Sequence, residues 1–257
     1  IKEEKGYRVY ESGKKQKVFC LNPAGSPFVG LVWPGCTLFP DFSLEETQNW
    51  WAAWVEEFSK NGITSAWLDM NDPSTGPVDC FSMLFKHGKE EHIKFHNQYA
   101  MLMAKATKKG FENSRPNERV FLLSRSGSTG SQKWAANWTG DNISNYSHLK
   151  MSISKTLGLS LSGIPFNGPD IGGFGDDTNP KLMRDWVKAG FLFPFLRNHS
   201  GLDTRAQEPW ALGPQTKQVY RHYVQLRYKL LPYLYNLFVE NELTGEAVFR
   251  PLMYHFD

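Results

Sequence analysis

Short apolar runs alternate with helical segments along this chain, and this alternation limits the possible folds. The runs begin near residues 63, 120, 135, 163 and 247. Strands that are apolar throughout are typical of parallel sheets covered on both faces, because a half-exposed strand alternates apolar with polar residues. The pattern therefore predicts an α/β fold. Polar or charged residues stand where several of the runs end: Asp69, Arg125, Asp141 and Asp170.

A (β/α)8 TIM barrel fits this pattern best, because its active site lies at the carboxyl ends of the strands. An open doubly wound sheet is the alternative, but neither GxGxxG nor a Walker A motif occurs. A closed barrel needs more than the five or so strands found here. We expect residues 43–257 to carry about the last five strands, 4–8, and residues 1–42 to form a loop or insert before strand 4. The chain does not begin with Met, and we expect the N-terminal strands to come from the rest of the protein.

The segments between the runs have helical periodicity. The helices are predicted over residues 44–62, about 90–110, 147–159, 180–195 and 215–241. Ser43 and Glu46 form a capping-box pattern for the first of these, and Pro232 is expected to kink or split the last. Residues 7–35 are rich in Gly and Pro and are expected to form irregular β structure and loop. The tryptophans of the first helix are expected to pack in the core.

Composition excludes several classes of protein. The chain has 40% hydrophobic and 21% charged residues, which is ordinary for a globular protein. The net charge of +3 is small and scattered, so no nucleic-acid partner is expected. No apolar run is long enough for a membrane span, and residues 1–10 do not resemble a signal peptide. The three cysteines have no CxxC spacing, so neither a disulfide scaffold nor a zinc site is expected. No cofactor is expected either.

Two of the aspartates at the ends of runs, Asp69 and Asp141, suggest glycoside hydrolysis. That reaction needs one carboxylate and one carboxylic acid on either side of the scissile bond. Aromatic residues make up 14% of the chain, and such side chains stack on sugars. The nearby Trp67 and Trp138 are suited to form the low-dielectric wall that keeps an acid protonated. The structural alternative is that these aspartates cap helices or hold loops.

Six segments resemble glycoside hydrolase family 31, the α-glucosidase and α-xylosidase family. WLDMNDPS at 67–74 resembles the family's nucleophile signature, and RSGSTGSQKWAANWTGDN at 125–142 resembles its acid/base segment. The other segments follow the family's order along the chain: VWPGCTLFPDF at 32–42, GPDIGGF at 168–174, FPFLRNHS at 193–200 and FRPLMYHF at 249–256. The resemblance implies a TIM barrel and covers nearly the whole chain.

The resemblance also implies roles for individual residues. Asp69 matches the nucleophile and Asp141 the general acid/base. Arg125 matches an arginine that binds the glycosyl ring, His199 a histidine that hydrogen-bonds the same sugar, and Asp170 a polar residue of that subsite. The residues that match the aromatic and apolar lining of the subsite are Trp33, Trp67, Met70, Trp138 and Phe174.

These roles predict a retaining, exo-acting α-glucosidase that works through a covalent glycosyl-enzyme, with its two carboxyl groups about 5–5.5 Å apart. The substrate would be an oligosaccharide. An α-transglucosylase would share this intermediate, and α-xylosidase is a further option. A non-catalytic carbohydrate-binding relative would be expected to lack one of the two aspartates. One departure is Asp72, where many members have Glu in the sequence DMNE.

Other features are interpreted as structural. His87, His92 and His96 resemble a metal cluster, but surface helix histidines and a local cap explain them. Cys36 shows no sign of an activated thiol. Four N-x-S/T sequons begin at Asn137, Asn142, Asn145 and Asn198. A glycan there would block the cleft, so we interpret them as accidental, which favours a bacterial or cytosolic setting.

Overall fold

Helices alternate with short strands along residues 1–256, the part of the chain that the computed structural model describes. The chain divides into two units, Ile1–Ala135 and Ala136–Asp257. The first unit contains the following elements: α1 (Arg8–Gln16), β1 (Val29–Val32), β2 (Gly35–Leu38), α2 (Glu45–Ser59), β3 (Ser65–Leu68), α3 (His92–Ser114) and β4 (Phe121–Ser124). Three-residue 3-10 helices lie at Cys80–Ser82 and Ser131–Lys133.

Helix α1 lies where the sequence predicted irregular β structure and loop, so that prediction is wrong for these residues. Gly13 lies inside the helix, and a Cβ at this position would come 2.5 Å from the ring of Phe19. The glycine therefore serves the close approach of an aromatic ring and does not mark a turn. Strands β1 and β2 follow as an antiparallel hairpin. The assignment of residues 1–42 to an insert stays a prediction.

Helix α2 begins without the predicted capping box. Leu44 is its N-cap residue, and no side chain caps the helix, so the prediction for Ser43 is wrong. The Ser43 hydroxyl donates instead to the carboxylate of Asp41, which ties the serine to the preceding loop. Burial raises the pKa of Asp41.

Helices α2 and α3 pack closely together. A Cβ at Gly110 would come 2.5 Å from the carbonyl oxygen of Ala52, so the two backbones nearly touch. Trp51 Nε1 donates to Thr107 Oγ1 at 2.8 Å across the same interface. The tryptophan-rich face of α2 thus packs in the core of the first unit, as the sequence predicted.

Strands β3 and β4 are parallel, with Leu68 opposite Ser124. The two strands therefore end at the same edge, and the residues that follow them, Asp69 and Arg125, are neighbours. This register positions the first part of the candidate site.

The second unit also contains parallel pairs, of β5 with β6 and of β7 with β8. Its elements are β5 (Ala136–Trp138), α4 (Tyr146–Leu161), β6 (Asn167–Gly168), β7 (Asp170–Ile171), α5 (Pro180–Gly190), β8 (Arg197–Asn198) and α6 (Pro214–Thr244). Asn179 caps α5, its Oδ1 accepting from the N–H groups of Lys181 and Leu182 at 3.1 and 3.0 Å. Trp186, on α5, is fully buried in the core of this unit. These parallel pairs confirm the α/β class.

Helix α6 continues through Pro232, so this residue does not split it. Arg227 on this helix donates to the carbonyl oxygens of Phe191, Phe193 and Pro194 at 2.7, 2.7 and 3.0 Å. Burial lowers the pKa of Arg227. These bonds fix the segment between α5 and β8, and so help to place β8.

The strand predicted at residues 247–253 is wrong. Ala247 and Val248 are buried as a strand would be, but Pro251 has no N–H to donate, and a 3-10 helix follows at Leu252–Tyr254. The strand that the sequence did not predict is β8, which has only two residues. Within residues 1–256, no helix combines the length and the apolar character needed to cross a membrane.

Candidate active site

Asp69 and Arg125 form the centre of the site in the first unit. Each directly follows one of the paired strands β3 and β4. The Arg125 N–H donates to the carbonyl oxygen of Leu68 at 3.0 Å, which extends the strand pairing to these residues. Arg125 Nη1 lies 3.1 Å from Asp69 Oδ1, and this ion pair is only partly exposed. The guanidinium therefore holds one oxygen of the Asp69 carboxylate in place at the end of β3.

The loop after Asp69 is fixed by its own backbone and by a buried amide. The N–H of Met70 donates to Asp69 Oδ1 at 2.7 Å, and Met70 has a left-handed conformation with φ of 56°. A non-glycine residue in this region is strained, and the surroundings must hold it there. Asn71 is buried; its Nδ2 donates to Ser124 Oγ at 2.8 Å, and its Oδ1 accepts from the N–H of Ser126 at 3.1 Å. The loop is therefore bonded to the end of β4.

Asp72 binds Arg125 as well, which the sequence did not reveal. Arg125 Nε and Nη2 donate to Asp72 Oδ1 at 3.1 and 3.0 Å. Nη2 also donates to Ser74 Oγ at 2.7 Å. The guanidinium therefore connects the carboxylate of Asp69 with the loop that follows it.

The predicted lining residues of the first unit differ in exposure. Trp33 lies at the turn between β1 and β2 and is 89% exposed, and Trp67 on β3 is about half exposed. Met70 lines a cavity of about 140 Å³ beside Asp69, together with Val32, Leu38, Trp51 and Tyr99. Of the three predicted lining residues, Met70 therefore lines the cavity beside Asp69.

In the second unit, Asp141 lies just beyond β5 and is exposed. The next residue, Asn142, is buried and fixes the position of this loop. Its Nδ2 donates to the carbonyl oxygen of Asp170 at 2.9 Å, and its Oδ1 accepts from the N–H of Phe174 at 3.0 Å. Three predicted residues, Asp141, Asp170 and Phe174, are thereby linked through one amide side chain.

Asp170 is fully buried and is held by Arg197, a residue that the sequence analysis missed. Arg197 Nε donates to Asp170 Oδ1 at 2.8 Å, and Nη2 lies 2.7 Å from the same oxygen. The guanidinium lies over the ring of Trp138, 4.9 Å from its centroid. The spacing of Arg197 and His199 could have revealed it, because residues two apart on a strand lie on one face.

His199 stacks on Phe174, with ring centroids 5.4 Å apart and planes inclined by 26°. Behind them, the buried Gln207 donates from Nε2 to the carbonyl oxygens of Gly173 and His199, at 2.9 and 3.4 Å. Gln207 therefore ties the segment that carries Phe174 to the segment that carries His199. This amide was also missed.

The two glycines of GPDIGGF are required by their surroundings. Gly172 and Gly173 have φ of 92° and 94°. A Cβ on Gly172 would come 2.3 Å from Gln207 Oε1, and a Cβ on Gly173 would come 2.5 Å from the backbone of Ser144. Only glycine lets these segments approach so closely.

Two of the histidines set aside in the sequence analysis, His92 and His96, bond to each other. His92 Nε2 and His96 Nδ1 lie 2.8 Å apart and share a hydrogen bond, so these two nitrogens already have a partner. Burial, and secondarily the neighbouring His96, lower the pKa of His92. Among residues 1–256, no group of three or more His, Cys, Asp or Glu side chains is arranged to hold a metal ion.

Known proteins resemble this chain over its full length. The family model described as "Glycosyl hydrolases family 31 TIM-barrel domain" matches residues 1–237. "Alpha-glucosidase 2" of Bacillus thermoamyloliquefaciens is 40% identical over 261 residues, which cover 100% of this chain and 33% of the relative. The chain thus spans about a third of the length of this relative.

Two solved structures agree with this match. A glucosidase II alpha subunit superposes with a TM-score of 0.94 at 32% identity, covering 100% of this chain and 28% of the other. A family 31 alpha-glucosidase from Bacteroides thetaiotaomicron superposes with a TM-score of 0.83 at 37% identity, covering 95% and 40%. The TIM-barrel prediction is thereby confirmed.

Proposed function

Since this chain belongs to glycosyl hydrolase family 31 and matches the family's TIM-barrel domain over residues 1–237, we propose that the whole protein is a retaining, exo-acting α-glucosidase. The observation that carries this proposal is the ion pair between Asp69 and Arg125 at the ends of β3 and β4. It holds a partly exposed carboxylate in place at the edge where TIM barrels perform their chemistry. The names of the relatives, alpha-glucosidases among them, support the same activity.

Asp69 is the nucleophile in this proposal. Both Arg125 Nη1 and the N–H of Met70 contact its Oδ1. Neither contact involves Oδ2, so Oδ2 attacks the anomeric carbon while the bond to the leaving oxygen breaks. The product of this step is a β-linked glycosyl-enzyme ester.

Asp141 is the general acid and then the general base. It gives its proton to the leaving oxygen as the glycosidic bond breaks, and it later takes a proton from the water that attacks the glycosyl-enzyme. The second attack restores the α configuration. The exposure of Asp141 suits both steps, because the side chain has to reach a leaving group and a water molecule.

The remaining residues of the second unit form the sugar subsite in this proposal. His199 hydrogen-bonds the sugar ring. Asp170 is fully buried and bonded to Arg197, so it supports the wall of the subsite by joining β7 to β8. The stack of His199 on Phe174 orients the imidazole. Such fixed side chains hold the sugar ring in one orientation.

An α-transglucosylase is the second candidate, since it would use the same glycosyl-enzyme and a sugar as acceptor. An α-xylosidase would differ in the space beside the sugar's hydroxymethyl group. Both catalytic aspartates are present, which argues against a non-catalytic carbohydrate-binding relative.

Product analysis on the full-length protein with maltose and isomaltose tests the proposal. Free glucose alone indicates hydrolysis, and longer oligosaccharides indicate transfer. Proton NMR should detect α-glucose before mutarotation produces the β anomer. Release of β-glucose as the first anomer would contradict a retaining mechanism. Turnover no greater than that of the Asp69→Ala protein, with maltose, isomaltose and an aryl α-glucoside, would contradict α-glucosidase activity.

A further inference from the structure

We infer that Asp72 is a positioning residue for the nucleophile and acts on Asp69 through Arg125. This inference rests on the proposed role of Asp69. Asp72 itself needs no contact with the substrate in this account. Its function is to set the orientation of the guanidinium that holds Asp69.

The contacts of Arg125 support this inference, because every nitrogen of its guanidinium is engaged. Nε and Nη2 donate to Asp72 Oδ1, Nη2 also donates to Ser74 Oγ, and Nη1 faces Asp69 Oδ1. The Ser74 hydroxyl in turn donates to Asp72 Oδ2 at 2.6 Å. Asp72 and Ser74 therefore form one anchor on the side of the guanidinium that does not face Asp69.

A guanidinium is planar and rigid, so fixing Nε and Nη2 also fixes the direction of Nη1. The position of Nη1 determines where Asp69 Oδ1 is held, and hence where Oδ2 points. Without Asp72, Arg125 would lose two of its hydrogen bonds and could reorient. Misplacement of a reacting group by about 1 Å lowers turnover by up to about 100-fold.

The test compares Asp72→Asn with Asp79→Asn in the full-length protein. Asp79 is a matched control: it lies seven residues further on, and its carboxylate accepts from the N–H of Phe81 rather than from Arg125. With an aryl α-glucoside, Asp72→Asn should lower kcat by about 10- to 100-fold with little change in KM. Asp72→Glu, which keeps the charge, should retain more activity than Asp72→Asn, and Asp79→Asn should match the wild type.

The same substitution in an Asp69→Ala background separates positioning from a general structural effect. Azide replaces the missing carboxylate in that background and forms β-glucosyl azide. If Asp72 acts through Asp69, then Asp72→Asn should change the azide-rescued rate by no more than about twofold. An equal loss in both backgrounds, a change in KM alone, or no loss at all would overturn the inference.

Ser74→Ala settles the question if Asp72→Asn does not fold. This variant lacks the hydroxyl that joins Arg125 to Asp72. It should lower kcat but leave the azide-rescued rate in the Asp69→Ala background unchanged. An unchanged kcat would overturn the inference. Full activity of Asp69→Ala would instead refute the proposed function, so the two failures are distinguishable.

Discussion

Arg197 and Asp170 form an ion pair in which the carboxylate is fully buried and the arginine side chain is 18% exposed. The two residues face each other across the parallel pair β7 and β8. A buried ion pair adds little net stability, but the loss of one charge is costly because the other stays desolvated. The pair therefore commits the second unit to one arrangement of β7 and β8, which carry or precede the proposed sugar-binding residues.

Asp170→Asn is expected to lower the free energy of unfolding by roughly 3 kcal/mol, since it removes a buried negative charge beside Arg197. Asp185→Asn is the matched control, because Asp185 pairs with Lys181 and Lys188 at the surface of the same unit. Asp185→Asn should lower the free energy of unfolding by no more than about 1 kcal/mol. Urea unfolding of the full-length protein measures both values, and equal costs would contradict the account.

Gly173→Ala is expected to destabilise the protein by about 2–4 kcal/mol and to lower turnover. The alanine would occupy a left-handed conformation and clash with the backbone of Ser144. Gly245 is also left-handed, with φ of 81°, and no neighbouring atom lies within 4 Å of its added Cβ. Gly245→Ala thus reports backbone strain alone, about 1 kcal/mol. Thermal unfolding compares the two variants, and a similar shift in Tm would rule out the clash.

The edge where β3 and β4 end could be predicted from the sequence. Each strand is a continuous apolar run followed by a polar residue, and the active site of a TIM barrel lies where its strands end, so Asp69 and Arg125 were both predicted at that edge. The resemblance of the six segments to family 31 named the roles. Neither source revealed Asp72 as the partner of Arg125, because the direction of a loop side chain depends on tertiary contacts.

Other elements could not be predicted, for reasons that are local. In helix α1, Gly13 resembles a turn signal until the packed ring of Phe19 is known. Strand β8 has two residues, too few for a periodic pattern. Ser43 matches a capping box by spacing, but the nearby Asp41 takes its hydroxyl. For Gly13 and Ser43 a specific tertiary or loop contact overrides the local pattern, and for β8 the strand is too short to form one.

Trp33→Ala is expected to raise KM several-fold with little change in stability. Its side chain is 89% exposed, so the substitution removes little buried contact and leaves no cavity. Trp210→Ala is the control, because Trp210 is 70% exposed but is not among the predicted lining residues. Kinetics with maltose should separate the two variants. Equal KM values for Trp33→Ala and the wild type would remove Trp33 from the predicted substrate contacts.

The buried His92 is expected to make the stability of the first unit decrease at acidic pH. The residue is buried, and its ring packs against Phe81 and Phe85 and bonds to His96. Burial lowers its pKa in the folded protein, and nearby Asp79 offsets only part of this effect. His92 is therefore protonated more readily in the unfolded chain than in the folded protein. The free energy of unfolding should decrease as the pH falls below the ordinary histidine pKa of about 6.5.

His92→Phe should therefore lose less stability than the wild type between about pH 7.5 and about pH 5.5. Denaturant unfolding at both pH values gives the comparison. His222→Phe is the control, because His222 is an exposed residue on α6, and it should follow the wild type. The account fails if His92→Phe and the wild type lose the same stability on acidification.

The configuration of the glucosyl azide formed by two variants of the full-length protein tests the central claim most directly. With an activated aryl α-glucoside and azide, Asp69→Ala should form β-glucosyl azide, because azide takes the place of the nucleophile. Asp141→Ala should form α-glucosyl azide, because azide attacks the accumulated glycosyl-enzyme. The same anomer from both variants, the reverse assignment, or undiminished hydrolysis by either variant would contradict the assignment of Asp69 as nucleophile and Asp141 as acid/base.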